Sequence, residues 1–254
     1  MSGELVTPLS LNNLVAITLS LITLSIATFK DIKSREIDLW VWLIPTPAIL
    51  INLYILVISK LSMSFRLITV LLSLLPALIT FFLALLNLMG GADFLAFLVL
   101  GLANVNLLFL KTIPITLLVF VITAILMIVY PLRYFFSNIF RWRNELSKLN
   151  IPTLKKVAMA FIGKPVKVKE YFNMKFHYPL TLYEVVNDRL MCNVRLNFKI
   201  DEEPEEHIRK LKELINNGFI NEETIIWVTY GIPTIPIILV SYVISLILIP
   251  LIPI

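Results

Sequence analysis

Six stretches of the chain carry no charged residue and are dominated by Leu, Ile, Val and Phe: residues 5–29, 39–59, 67–92, 94–110, 112–132 and 224–254. A helix that spans the hydrocarbon core of a bilayer needs about 17–25 apolar residues. The pattern therefore predicts six transmembrane helices, the fourth being the shortest. Between the fifth and sixth runs the pattern changes, and residues 137–225 hold most of the charges. There, Val194-Arg195-Leu196-Asn197-Phe198-Lys199-Ile200 alternates apolar and polar residues. Such a period of two over 166–169, 174–177 and 191–199 predicts strands. Residues 140–149 are expected to be helical with a basic face. A further helix is expected over 202–215: acids crowd its first turn, Pro204 suits that turn, and Lys210 and Lys212 follow towards its other end, with Gly218 as the stop. The expected fold is thus an α-helical polytopic membrane protein, with six transmembrane helices and a small α+β cytoplasmic domain between helices 5 and 6. It divides as 1–136, 137–225 and 226–254.

Composition supports this class. At 58% hydrophobic residues and a mean hydropathy of +0.88, the chain does not read as a soluble globular protein. Only Glu4 precedes the first apolar run, so that run lacks a basic leader and is read as a span, not as a cleaved signal peptide. Basic residues then set an orientation. With the N-terminus outside, only Lys60, Arg66 and Lys111 lie in outside loops, and the other 19 of the 22 Lys and Arg lie inside. Both termini are therefore expected outside, and residues 133–225 in the cytoplasm. The net charge of +5 is accounted for by this asymmetry and calls for no nucleic-acid partner. The one cysteine, Cys192, excludes an internal disulfide and a four-cysteine zinc site. It is expected to be a buried small apolar residue.

From residue 67 to residue 110 the single charge is Asp93. An ionised, unpartnered carboxylate at membrane depth costs about 2.5 kcal/mol or more, so Asp93 asks for a function. Gly90 and Gly91 precede it, and glycine permits a tight turn or the close approach of another backbone or ligand. A second acid, Asp31, follows the last apolar residue of the first span closely. The Lys/Arg topology brings both carboxyls to the cytoplasmic face without having used them. The loop that holds Asp31 also holds Lys30, Lys33, Arg35, Glu36 and Asp38, which alone would suit a solvated headgroup loop. Trp40 and Trp42 read as interfacial aromatics, and Pro45 and Pro47 as a kink near the start of helix 2. Asn104 and Asn106 read as interhelical hydrogen-bonding residues. Gly231, Pro233 and Pro236 predict an irregular start to helix 6 on the same face, as a wall of the same cavity. The run 201–206 with His207 is assigned to the helix dipole, since no metal-ligand spacing accompanies it. His177 is assigned a structural role. There is no phosphate loop, nucleophile elbow, heptad array or internal repeat.

Three landmarks occur in order: Asp31-Ile32-Lys33-Ser34-Arg35-Glu36-Ile37, Gly90-Gly91-Ala92-Asp93-Phe94 and Ile226-Trp227-Val228-Thr229-Tyr230-Gly231-Ile232-Pro233. Together they resemble the archaeal preflagellin peptidases, which belong with the type IV prepilin peptidases among GxGD-type membrane aspartyl proteases. The resemblance runs over nearly the whole chain. It departs from the general pattern at Ala92, where glycine is usual; a requirement for φ > 0 there would strain the backbone. The N-terminal cytoplasmic domain with paired cysteines of the large bacterial enzymes has no counterpart, so no methylation is expected. The resemblance implies a catalytic pair, Asp31 and Asp93, with Gly90, Gly91 and Ala92 as backbone support, an activated water, and neither cofactor nor metal. Glu36 stands in reserve for Asp31. The implied substrates are archaellin and pilin-like precursors with a short basic leader. Two other classes compete: an ion- or proton-coupled transporter with Asp93 as relay, and a non-catalytic pilus or archaellum assembly protein whose acids only pair with Lys30, Lys33 or Arg35.

Overall fold

A computed structural model describes residues 10–86, 88–110, 112–186, 189–196, 202 and 204–251. The chain forms two compact units, one of residues 1–127 with 233–254 and the other of residues 128–232.

The first unit is helical. Helix α1 (Leu11–Ser34) starts at Ser10, whose side chain accepts the Asn13 N–H, and ends at Arg35, which turns into the left-handed region at φ 63°. A 3-10 turn over Leu39–Leu43 follows, and then α2 (Thr46–Ile58). The expected kink at Pro45 and Pro47 is thus a break between two helical pieces. Pro47 sits in the first turn of α2, where a missing N–H costs no helical hydrogen bond. Ser62 caps α3 (Met63–Leu85) at the Phe65 N–H, and Pro76 lies inside that helix. Helix α4 (Gly91–Ala103) leads into an antiparallel hairpin of β1 (Leu108–Phe109) and β2 (Ile113–Pro114), and α5 (Ile115–Phe140) begins at once. The unit closes with α10 (Thr234–Leu251).

Four helical stretches are long and apolar enough to cross a bilayer: α1, Leu39–Ile58, α3 and α5. Helices α4 and α10 are apolar but shorter. The apolar run 94–110 is therefore not one helix. It stops at Ala103 because Asn104 and Asn106 turn their side chains to partners that a continuing helix would not offer. Asn104 donates to the Ser20 Oγ at 3.0 Å and accepts from the Tyr242 hydroxyl at 2.8 Å. Asn106 donates to the Asn52 backbone oxygen at 2.8 Å. The interhelical role expected of both residues holds, and it ties α1, α2, α4 and α10 into one bundle. Gly101 lets α4 approach α3 closely: a Cβ there would lie 2.5 Å from the Ser73 backbone oxygen, and Ser73 donates to the Gly101 carbonyl at 2.8 Å.

The second unit takes in the end of α5, then α6 (Arg143–Lys148), α7 (Thr153–Ile162), β3 (Lys164–Lys167), α8 (Val168–Tyr171), β4 (His177–Pro179), β5 (Thr181–Val186), β6 (Arg189–Val194), α9 (Pro204–Asn216) and β7 (Ile225–Tyr230). Strand β7 lies between β3 and β4 in an antiparallel sheet, and β5 and β6 form a separate hairpin. Here the charge-free run 224–254 departs from the expected single helix: its first part is the central strand. The stretch Ile225-Ile226-Trp227-Val228-Thr229-Tyr230 is β-branched and aromatic, and Ile226 through Thr229 are all buried. A strand covered on both faces reads as a continuous apolar run, like a span. Ile226 and Val228 pack with Val168, Tyr171 and Leu211, whereas Trp227 packs with Met159 and Leu180.

Helix α9 ends as expected: Gly218 adopts φ +74°, and its N–H and that of Phe219 close on the carbonyls of Ile215 and Leu214. The expected strand at 174–177 is displaced to β4. Residues 197–200 of the expected 191–199 strand lie outside the described residues. Cys192 is exposed, contrary to expectation: it faces Tyr183 across a two-stranded hairpin, too thin to bury it.

Candidate active site

Asp31 belongs to the last turn of α1, and Asp93 to the first turn of α4. They are 8% and 7% exposed, and are the only buried charged side chains among the described residues. Asp31 is held from two sides. One carboxyl oxygen accepts the Ile235 N–H at 3.3 Å, and the other lies 3.6 Å from the Arg35 guanidinium. Each contact has a local cause. The first N–H groups of a helix have no partner within it and form its positive end, and Ile235 is in the first turn of α10. The left-handed turn at Arg35 ends α1, and the i,i+4 spacing returns its side chain to Asp31.

Asp93 turns back on its own helix start. Its Oδ2 accepts the Gly90 N–H at 3.1 Å, in the manner of the acid in a capping box. Its other oxygen has no hydrogen-bond partner among the described residues. Asp93 lies within electrostatic range of Asp31 and Arg35.

Neither glycine is demanded by an unusual backbone angle or by a lack of space for a Cβ. Gly90 is extended at φ −77°, and Ala92 lies within α4 with no positive φ. A Cβ on Gly90 would make ordinary contact with Asp93 Oδ2 at 3.6 Å, and one on Gly91 would meet nothing within 4 Å. Alanine at the third motif position is thus unstrained, and Gly91 is exposed.

Glu36 and Asp38 stand apart from the buried acids: both are exposed, and Asp38 is paired with Lys30 at 2.5 Å. The two tryptophans divide. Trp40 is exposed, whereas Trp42 is buried in the core with Ala27 and Ala96 of α1 and α4, so an interfacial place fits only the first. The Trp42 Nε1 and the Thr28 Oγ1 are buried without a hydrogen-bond partner among the described residues. Nothing in the sequence marks them; the 3-10 turn is what drives Trp42 inward. In the second unit, His207 and Arg195 both bind Glu202, and Glu205 and Glu206 occupy the first turn of α9. His177 bonds the Lys175 carbonyl through Nδ1 at 2.7 Å. No group of three potential metal ligands occurs among the described residues.

These features define a mostly helical protein of membrane type, with four long apolar helices, a buried pair of aspartates and a small α/β part towards the C-terminus. Residues 155–248 match the family described as Archaeal Peptidase A24 C-terminus Type II. The match supports the resemblance to the prepilin/preflagellin peptidases carried by the three motifs. It runs from within α7 to α10 and does not include the two aspartates. No curated protein matches the chain.

Proposed function

We propose that the protein is a membrane aspartyl endopeptidase that removes the short basic leader from archaellin and type IV pilin-like precursors, with Asp31 and Asp93 as its catalytic pair. The observation that carries this reading is that the two acids named by the motifs are also the buried acids among the described residues of the helical unit. Two carboxyls sharing a site do not both ionise cheaply, so one holds a proton while the other is charged. The charged one takes a proton from water, and the water oxygen attacks the scissile carbonyl carbon. The protonated one donates to the carbonyl oxygen, and the leaving amine then takes up a proton as the peptide bond breaks. The pair titrates as a unit. The Asp93 carboxyl oxygen without a hydrogen-bond partner among the described residues, and the exposure of Gly91, support access for water and an extended peptide.

In this reading the chain crosses the membrane six times with both termini outside, and the pair lies at the cytoplasmic face, where a basic leader meets an apolar helix. At about 1.5 Å per residue, α4 is shorter than the roughly 30 Å hydrocarbon core. Its crossing would be completed by residues 104–107, which are buried within the protein, as irregular backbone at depth must be.

One observation favours a second reading, a non-catalytic assembly protein: Asp31 already satisfies an N–H of α10 and pairs with Arg35, which is sufficient structural use for a carboxylate. Cleavage of a purified pilin-like precursor by wild type, Asp31→Asn and Asp93→Asn, each checked for folding, separates the two. Loss of cleavage in both folded variants supports the catalytic pair. Retained cleavage removes that aspartate from it, and wild type that cuts no such precursor overturns the reading.

A further inference from the structure

In the second unit, a cavity of about 740 Å³ lies between the end of α5 and strands β3 and β7. Its chemistry is unlike that of the candidate active site. Arg133 lines it from α5, Arg141 from the residue just past the end of α5, and Lys164 from β3. None of these three has an ion-pair partner among the described residues, in contrast to Lys167, which also lines the cavity but is bound to Glu223 at 2.6 Å. Glu170 is the one acid in the lining. The floor is aromatic: Tyr130 stacks on Tyr230 at 6.2 Å, and His177 lies 4.9 Å from Tyr230. Uncompensated cations over an aromatic floor form a site for a phosphate-bearing anion with an apolar body.

The surrounding surface indicates where such an anion would come from. The cavity lies at the end of a helix long and apolar enough to cross a bilayer. Asn138 ties α7 to that end, donating to the carbonyls of Ala160 and Gly163 at 2.9 and 2.6 Å. On these two helices Phe140 and Leu154 are each 82% exposed, and Lys155 and Lys156 follow Leu154 directly. Large exposed apolar side chains next to lysines suit the boundary between headgroups and acyl chains. We propose that this cavity holds the phosphate of an anionic phospholipid headgroup.

The test uses the full chain in detergent, with native mass spectrometry reading the lipid retained. Phosphatidylglycerol should be held at least about tenfold more tightly than phosphatidylcholine. The triple variant Arg133→Gln, Arg141→Gln, Lys164→Gln should lose that preference, and the corresponding lysine substitutions at the two arginines should keep most of it. A charge-matched control, Lys175→Gln, Arg209→Gln, Lys212→Gln, changes residues outside the cavity and should retain it. Thermal unfolding guards against misfolding, and single variants replace the triple if it fails to fold. Equal retention of the two lipids, or equal loss in the control, overturns the proposal. Inorganic phosphate or an acidic peptide displacing the lipid at comparable concentration also overturns it, in favour of a soluble anion or a peptide partner.

Discussion

In the unit formed by residues 1–127 and 233–254, the side chains that face outward include Leu50, Val57 and Leu71, each at least 64% exposed. Those that face inward include Ser20, Asn52, Ser73, Thr80 and Asn104. In the unit of residues 128–232 the order is the usual one: Val168, Tyr171, Ile226 and Val228 are buried, and most of the charges are exposed. The difference reflects two solvents. In water, burial of apolar area drives packing. In lipid that drive is absent between helices, and close approach of small residues with interhelical hydrogen bonds takes its place. Gly101 against Ser73 and the Asn104–Tyr242 bond are the second kind of contact; Trp227 between Met159 and Leu180 is the first.

The contrast is broken or sharpened by substitution. The largest effect should fall on chemistry: Asp93→Asn should lower precursor cleavage by about 10²–10⁴-fold while leaving the fold intact, since an amide oxygen still accepts the Gly90 N–H. A quantitative cleavage assay measures this. Next, Leu71→Asp should cost about 2.5–3.5 kcal/mol if α3 faces lipid, read as failed membrane insertion; a soluble, well-folded variant would remove the basis of the comparison. In the other unit, a Cβ at Gly163 would lie 2.8 Å from the Trp227 ring and 2.9 Å from the Met159 carbonyl. Gly163→Ala should therefore destabilise by about 1–3 kcal/mol, seen in thermal unfolding. Asn104→Leu should cost less, about 0.6–2 kcal/mol in bilayer or detergent, because its partners find others.

The smallest effect should come from Glu223→Gln on the exposed face. Lys167 and Lys169 hold the Glu223 carboxyl down at about 2, from an ordinary value near 4.5. A carboxyl lowered by folding stabilises above its ordinary value and loses that contribution as pH falls through the lowered one. The difference between wild type and Glu223→Gln should therefore be present at neutral pH and fade from about 4.5 downward. Screening keeps it small, and added salt should reduce it further.

Much of this was legible in the residues themselves. Long runs without charge, the charged insertion after the fifth run, the helix ending at Gly218 and the isolation of Asp93 all follow from local composition, because burying a charge in lipid is costly enough to leave a mark at every position. The three motifs carried the family resemblance, and the family match agrees with it. Where period and composition are ambiguous, local reading fell short. The stretch 225–230 is as apolar as a span, but becomes a central strand because β3 and β4 flank it. The run 94–110 is charge-free, but ends its helix at Asn104 because Ser20, Asn52 and Tyr242 wait there as partners. Trp40 and Trp42 look alike in sequence, and only the 3-10 turn sends one outward and the other in.

The sequence by itself determined which segments avoid water and which acids are too costly to be incidental, since those depend on the transfer free energy of each side chain alone. Only the tertiary structure decided what those acids touch: the α10 N–H that meets Asp31, the backward turn of Asp93 onto Gly90, and the gathering of Arg133, Arg141 and Lys164 around one cavity. Hydrogen bonds and charge pairs act over a few ångströms, and residues as far apart as 31 and 235 meet only once packing has chosen their neighbours.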